Sequence, residues 1–524
     1  MPTSPARQQP LALPKRSVPR IRQSASPLKT AQLDQIEHLL VVIPETPAKS
    51  LWRNLPAGEQ LKKLASQRKL TTSILQTRLG NKAATGISLQ QLPGSGKGTR
   101  QPAAFELLNF AGQLAADGLR DNPGKVAIHV AGFSAAATAA IQRALLLALA
   151  AHNFELPTFK SGKQPAQRLK TIELLGAESR LDTHSVLAEA AGNNLARWLT
   201  CLPPNKLDAG AYKKLLRNLA RQHDWKMEFY GEPKLRTLGA GAFLAVSQGN
   251  ATRDAGIVRL CYNPQSAGRK STPALALIGK GILFDTGGTN LKPFKAMLDM
   301  HTDMAGSATA VATLAALTEL KFPHPVECWL AITENRMSNT AYKSRDVVQA
   351  ANGTTIEVIH TDAEGRMALA DTLALAGRHK PKVMIDFATL TGTCVSALTE
   401  RYSGAFSNDE SLHAGIIAAG KTSGERVWPF PMDEDFDDEI KSQVADVLQC
   451  AEAGGGDHIQ AARFLQRFVP KNSQWIHLDL SAATRKGGLA QVPTEITGFG
   501  VRYALELITG HLPALATKGR GKAT

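Results

Sequence analysis

Acidic residues punctuate the ends of apolar runs in the middle of this 524-residue chain, and that pattern limits the fold more than any other feature. Residues 275 to 371 open with LALIGKGILFDTGGTNLKP, continue through MHTDMAGSATAVATLAAL and close on IEVIHTDAEGRMALADTLALA. Asp285, Asp303, Asp362 and Glu364 thus come from three separate segments. Lys280, Lys292 and Arg366 accompany them, all at or near points where a strand hands over to a loop or helix. Such ends are where α/β enzymes keep their chemistry. Gathered like charges raise one another's pKa unless cations lie between them, and two divalent ions would neutralise four carboxylates. On an extended segment Asp362 and Glu364 face the same side, with Thr361 and Ala363 facing away. Near Gly365 the chain is expected to turn into a helix, whose N terminus favours an anion. Gly279, Gly281, Gly287 and Gly288 bracket Lys280 and Asp285 and permit close approach to a ligand.

The length predicts two domains. With 43% hydrophobic and 20% charged residues the composition is that of a soluble globular protein. No window approaches about 18 uninterrupted apolar residues, so no membrane span is expected. The nearest candidate, AGFSAAATAAIQRALLLALAA, is broken by Arg143 and rich in alanine, and reads as a packed helix. Five widely spaced cysteines with no CxxC pair point to a reducing compartment, the cytoplasm, and away from a thiolate zinc site. No HExxH occurs, so any bound metal would be held mostly by carboxylates.

Residues 1–33 contain six basic residues, many prolines and no acid, a composition expected to stay disordered. It also suits a mitochondrial transit peptide, although prolines 10, 14 and 19 oppose the amphipathic helix that such a peptide needs. Residues 34–172, where strands such as HLLVVIP and KVAIHVAG alternate with helical runs, predict a small N-terminal α/β domain. Residues 173–200 read as a linker helix and 201–524 as a second, larger domain. Within it, residues 203–231 read as turn, helix and strand with Asp208 as helix cap, and GAGAFLAVSQGN as a strand or turn. LPGSGKGTR, residues 92–100, imitates a phosphate-binding loop. It has Gln91 where the motif needs glycine and Gly98 where it needs Ser or Thr, so a Gly-rich connection is the preferred reading.

The formal charge of +16 is concentrated: residues 1–170 hold 23 Lys+Arg against 8 Asp+Glu, which leaves the remainder close to neutral. Contact with DNA or another polyanion is one reading of this basic third, and a solvated basic face is the other.

Together the central segments resemble the leucyl aminopeptidase family of dinuclear metallopeptidases. The family's NTDAEGR is HTDAEGR here (360–366), its GKGxxFDxGGxxLKP is GKGILFDTGGTNLKP (279–293), and its DMxGxA is DMAGSA (303–308). NLARWLTCLPPNKLDAGAY, ITENRMSNTAYKSRDVV, IDFATLTGT and WIHLDLSA are also similar to family blocks, so the likeness spans residues 185–510. It implies an α/β/α catalytic domain with a mixed central sheet, peptide substrates trimmed from the N terminus with leucine or another apolar residue preferred, and a homohexamer.

The resemblance also implies roles. Lys280, Asp285, Asp303 and Glu364 would hold the tighter of two divalent ions, zinc or manganese. Asp285, Asp362 and Glu364 would hold the more exchangeable one. Lys280 would ligate as a neutral amine, Lys292 would stay protonated beside the oxyanion, and Arg366 would hold a bicarbonate ion as general base. Met300, Thr389, Leu390 and Gly392 would surround the substrate's first residue, although Met300 and Leu390 also suit a core. The chain departs from the family at His360, which replaces the usual Asn, in the loop RMSNTAYKSRDVV, and at Asp457 and His458, where small residues are common. Two rivals stand beside this reading: a nucleic-acid-binding or regulatory protein using the basic third, and another two-metal hydrolase such as a phosphoesterase.

Overall fold

The computed structural model describes residues 11–14, 19–25, 30–95, 102–162, 168–176, 180–264 and 272–515. Most of the GSGKGT stretch, from residue 96 on, lies outside the described residues, as do residues 1–10, 15–18 and 26–29 of the basic tail.

Two large sheets carry the molecule. The first has six strands in the order Arg20–Ser24, Thr171–Leu175, Lys125–Val130, His38–Pro44, Gly86–Leu92, Leu75–Arg78; all pairs are parallel except the last. Alternation along His38–Pro44 divides its core in two. Leu40 and Val42 face the helices Ala104–Gly118 and Ala135–His152, while Leu39, Val41 and Ile43 pack with Trp52 and Leu61 on the other side. Ala135–His152 is the one helix among the described residues long and apolar enough to cross a membrane. Here it is part of a protein core, and its Arg143 pairs with Glu189.

The tail expectation needs correcting at several places: Leu11 and Leu13 pack against the core of the second, larger sheet, and Thr30–Leu33 is a short helix. Arg20–Ser24 is a strand on the edge of the six-stranded sheet, parallel to Thr171–Leu175. Composition missed it because the segment is stabilised by a distant partner: Gln23 exchanges hydrogen bonds with the Leu181 main chain, both at 2.9 Å, and Arg22 lies 3.7 Å from Glu173. The linker helix also starts later than expected. Residues 173–175 complete a strand, and the helix runs Thr183–Thr200, capped by Asp182.

The second sheet has eight strands, in the order Val427–Pro429, Ser403–Ser407, Gln474–Asp479, Val383–Ala388, Leu275–Asp285, Val326–Asn335, Gly256–Tyr262, Lys226–Gly231. Its four central strands are parallel, while Gly256–Tyr262 and Ser403–Ser407 join antiparallel on either side, which makes the sheet mixed. The centre is apolar on both faces, as parallel strands covered by helices require. Leu275 and Leu277 pack with the helices Thr183–Thr200, Ala209–Gln222 and Ala305–Glu319; Ala276 and Ile278 pack with Gly241–Ser247, Glu364–Gly377 and Asp457–Gln466. This is the α/β/α sandwich that the resemblance implies. Asp208 caps its helix as expected, accepting from Ala211 N at 2.7 Å. GAGAFLAVSQGN is helical instead of a strand or turn, because Asp371 accepts from Phe243 N at 2.7 Å and so satisfies a helix-start donor from another segment. A separate three-stranded sheet, Val347–Gln349, Thr355–Glu357 and Val447–Leu448, joins the core on the Ala276 and Ile278 side through Ile356, Val447 and Leu448.

Register places the chemistry. Asn335 is opposite Asp285 and Ala388 opposite Asp479, while Phe387 opposite Gly279 sets the ends of the second pair beside Lys280; all four parallel strands direct their carboxyl ends the same way. The crevice beyond the carboxyl ends of such strands is where α/β sheets bind ligands.

Candidate metal centre

Asp285 is the last residue of its strand, and Lys280 lies in the same strand. Asp303 follows the short turn Met300–Thr302, just ahead of the Ala305–Glu319 helix, and Glu364 opens the Glu364–Gly377 helix. The structure brings them together: Asp285, Asp303 and Glu364 are buried, and each offers an oxygen within 4.8 Å of the others. Lys280 Nζ lies 2.7 Å from Asp303 Oδ1 and 3.0 Å from Glu364 Oε1, and donates to Thr389 O at 2.9 Å. Lys292 Nζ sits 2.8 Å from Asp285 Oδ2 and 2.5 Å from Asp362 Oδ1.

Asp362 and Glu364 do not share the face of an extended segment. Asp362 is in a turn and Glu364 is already helical, because Thr361 anchors the turn. Its hydroxyl donates to Gly287 O at 2.6 Å and accepts from Asn290 N at 2.8 Å. The glycines have specific reasons. Gly287 has φ +85°, and a Cβ on Gly365 would lie 2.5 Å from Lys280 Cε, so only glycine lets Lys280 cross that helix start.

Four carboxylates meet two lysines, so the cage is short of positive charge. Burial and Asp285 push Glu364 up to about 8 despite Lys280. Burial, opposed by Lys280 and reinforced by Asp285, pushes Asp303 up to about 6. Burial and Asp285 also raise Asp362. Burial alone would lower Lys280, but Asp303, Glu364 and Asp285 together raise it, and Lys292 is raised in the same way, chiefly by Asp285. Asp303 Oδ2 is buried with no hydrogen-bond partner among the described residues. A donor set of carboxylate oxygens, with one such oxygen left over, fits hard or borderline divalent cations.

The remaining site expectations are spread around this cage. Thr389 is half-buried and its hydroxyl donates to Asp303 Oδ1 at 2.8 Å. Leu390 is half-buried, with its N–H on Asp479 Oδ1 at 3.0 Å. Met300 is half-buried and Gly392 is exposed at the start of its helix. His360 is exposed, and its Nδ1 accepts from Asp362 N at 3.3 Å.

Arg366 is buried, but its guanidinium is already engaged. Nη2 donates to both carboxylate oxygens of Asp457, at 2.7 and 2.8 Å, and Nη1 donates to Gln449 O at 3.2 Å. The two Nη groups that would hold bicarbonate are therefore taken by Asp457 and Gln449 O, and Nε alone has no partner among the described residues, so the carboxylate already occupies the place of an anion on Arg366.

Residues 194–505 match the model of the cytosol aminopeptidase family, catalytic domain. The chain belongs to the cytosol aminopeptidase family. A probable cytosol aminopeptidase of Pseudomonas syringae pv. syringae is 38% identical over 358 residues, 67% of this chain and 71% of that relative. Among solved structures, a mutant of tomato leucine aminopeptidase superposes with a TM-score of 0.79 at 25% identity, covering 95% of this chain and 98% of that one. The bottromycin maturation enzyme BotP in complex with Mn gives 0.77 at 28% identity, covering 90% and 98%.

For this member of the cytosol aminopeptidase family, sequence reasoning passed over Asn335. Its Nδ2 donates to Asp285 Oδ1 at 2.8 Å, to Thr361 O at 3.0 Å and to Glu364 Oε2 at 3.4 Å, which holds two carboxylates and the turn between them in place. The usable signal was its position, a polar residue closing the apolar strand Val326–Asn335 as Asp285 closes the neighbouring one.

Proposed function

We propose that this chain removes N-terminal residues, leucine or another apolar residue by preference, from peptides in a site that holds two divalent ions, zinc or manganese. The observation that carries this reading is the charge deficit: four converging carboxylates, two lysines and an unpartnered Asp303 Oδ2. Lys280, Asp285, Asp303 and Glu364 would hold one ion and Asp285, Asp362 and Glu364 the other, with Asp285 and Glu364 shared. When bound, such ions lower the pKa of a water and polarise the substrate carbonyl.

The protein's own groups do the rest. Thr389 and Asn335 fix the orientation of Asp303, Asp285 and Glu364. Lys280 serves as a ligand once it has lost its proton, which neutralising the three carboxylates around it with cations makes easier. Lys292 stays protonated, held up by Asp285, and stabilises the negative charge that develops on the carbonyl oxygen. Met300, Thr389, Leu390 and Gly392 line the approach for the first residue, and an apolar preference is consistent with Met300 and Leu390 being only partly covered. Exposed Leu291, Phe294 and Leu298 flank and follow Lys292, an apolar surface that supports a homo-oligomer, here read as a hexamer in the cytoplasm.

The test is release of leucine from a leucyl amide reporter. Chelation is expected to abolish turnover and added manganese or zinc to restore it, and Asp362→Ala is expected to remain inactive with either ion. Full turnover after chelation would overturn the reading.

A further inference from the structure

The Arg366–Asp457 pair is unusual for its setting. Arg366 is 2% exposed, stands in the first turn of the helix that Glu364 opens, and feels the charge of Glu364 as well as that of Asp457. Its Nε has no partner among the described residues. Asp457 opens the ten-residue helix Asp457–Gln466, whose N terminus favours a negative charge. Its side chain keeps 38% exposure, so the carboxylate is bound to a buried guanidinium and still meets solvent. The next residue, His458, donates its N–H to Thr393 Oγ1 at 3.0 Å, which ties this helix start to the helix Gly392–Leu398, just after Thr389 and Leu390. The nearby imidazoles have other attachments: His458 Nδ1 pairs with Thr393 Oγ1 at 3.1 Å, His360 Nδ1 accepts from the Asp362 main chain, and buried His477 pairs through Nδ1 with Asp386 Oδ1 at 2.6 Å.

Resting on the aminopeptidase reading above, we propose that Asp457 is a built-in replacement for the free bicarbonate that the family resemblance assigns to Arg366, and that it is the proton carrier of the reaction. The attacking water gives one proton to an Asp457 carboxylate oxygen as its oxygen bonds to the scissile carbonyl carbon. The C–N bond then breaks, and the same proton passes to the departing amine nitrogen. No external anion takes part, so turnover is independent of dissolved carbonate.

The experiment compares the full-length, manganese-loaded protein with Asp457→Gly and Asp457→Asn in decarbonated and bicarbonate-containing buffers. A direct readout accompanies it, binding of ¹³C-bicarbonate followed by carbon NMR. The wild type is expected to bind no labelled bicarbonate and to turn over equally in both buffers. Asp457→Gly, which frees the guanidinium edge, is expected to bind it. Without carbonate this variant should lose about 100-fold or more in kcat, the range of general acid–base catalysis, and regain most of it when bicarbonate is added. Asp457→Asn keeps the volume but cannot carry the proton, and should be slow and beyond rescue. A wild type that binds bicarbonate and stops without it would overturn the proposal. So would a folded Asp457→Gly that turns over normally in decarbonated buffer, since another base, His360 included, would then be sufficient. The binding comparison is readable even if the wild type hydrolyses no leucyl amide at all, which would instead defeat the aminopeptidase reading.

Discussion

Two buried clusters of charge are built on opposite terms. Where the Ala135–His152 and Thr183–Thr200 helices meet the Val501–Glu506 helix, Glu189 accepts from Arg143 and Arg502, and Arg502 also donates to Ser423 O. Beside it, Glu425 accepts from Gly500 N at 2.9 Å and Tyr503 N at 2.8 Å. Two acids face two guanidinium groups, and backbone donors satisfy most of what is left. In the pocket at the strand ends, four acids face two lysines and a buried carboxylate oxygen has no partner among the described residues. The first cluster is complete from the chain's own atoms, and the second becomes balanced only with cations. Charge balance therefore separates a structural cluster from a functional one more sharply than burial does, since both are buried.

The comparison breaks most visibly at Asp303. Asp303→Asn keeps the shape and the acceptor facing Lys280 and Thr389 but removes one negative charge from the deficient cluster. The expected result is loss of leucyl amide turnover by about 10³-fold or more, the upper range for removing one preorganised charge-stabilising group. The stability of the metal-free protein should stay the same or rise, because repulsion is relieved. Urea denaturation of the chelated protein checks the second half, and a lowered midpoint there would mean that the pocket is held together by its own charges.

Glu189→Ala tests the other cluster and should reverse the pattern. Removing one partner leaves buried Arg502 with only Ser423 O and the nearby charge of Glu425, so the cost is expected at the lower end of the about 3–5 kcal/mol for breaking a buried pair. Denaturation midpoints should fall accordingly, while kcat per folded molecule is unchanged. Equal losses of activity and stability would show the two clusters to be coupled.

The same contrast explains what could be read in advance. Asp285, Asp303, Asp362 and Glu364 were legible because charges at the ends of apolar runs have no local reason to be there. Their spacing along the chain was less informative: Thr361, through Gly287 and Asn290, makes a turn where an extended segment was expected. Asn335 and Asp457 act through partners 50 and 91 residues away, and a neutral amide or one more helix-start acid carries no local signal of that. The strand Arg20–Ser24 was hidden for a similar reason, since its pairing partner is Thr171–Leu175 and composition averages over a short segment. Of the two sheets, the parallel centre of the larger was legible as apolar runs, whereas strand order is a property of partners.

The finest probe of the comparison is Glu425, because a balanced cluster can still be sensitive to pH. Burial pushes its carboxyl up to about 7, against the pull of Arg502 and two backbone donors and with Glu189 adding to the rise. An acid whose folded-state pKa exceeds its ordinary 4.5 binds its proton more tightly when folded. The stability it contributes is full below about 4.5 and is lost as pH rises through about 7. Glu425→Gln has no such ionisation, while Arg143, Glu189 and Arg502 remain in both proteins. The difference in denaturation midpoint between variant and wild type, both metal-free, should therefore move steadily in the variant's favour across that interval and level off above it. Metal-site carboxylates titrate alike in the two proteins and cancel. A difference that stays flat would mean that Glu425 ionises at the ordinary carboxyl pH and that Arg502 fully compensates it, making the balance at the junction tighter than burial alone would permit.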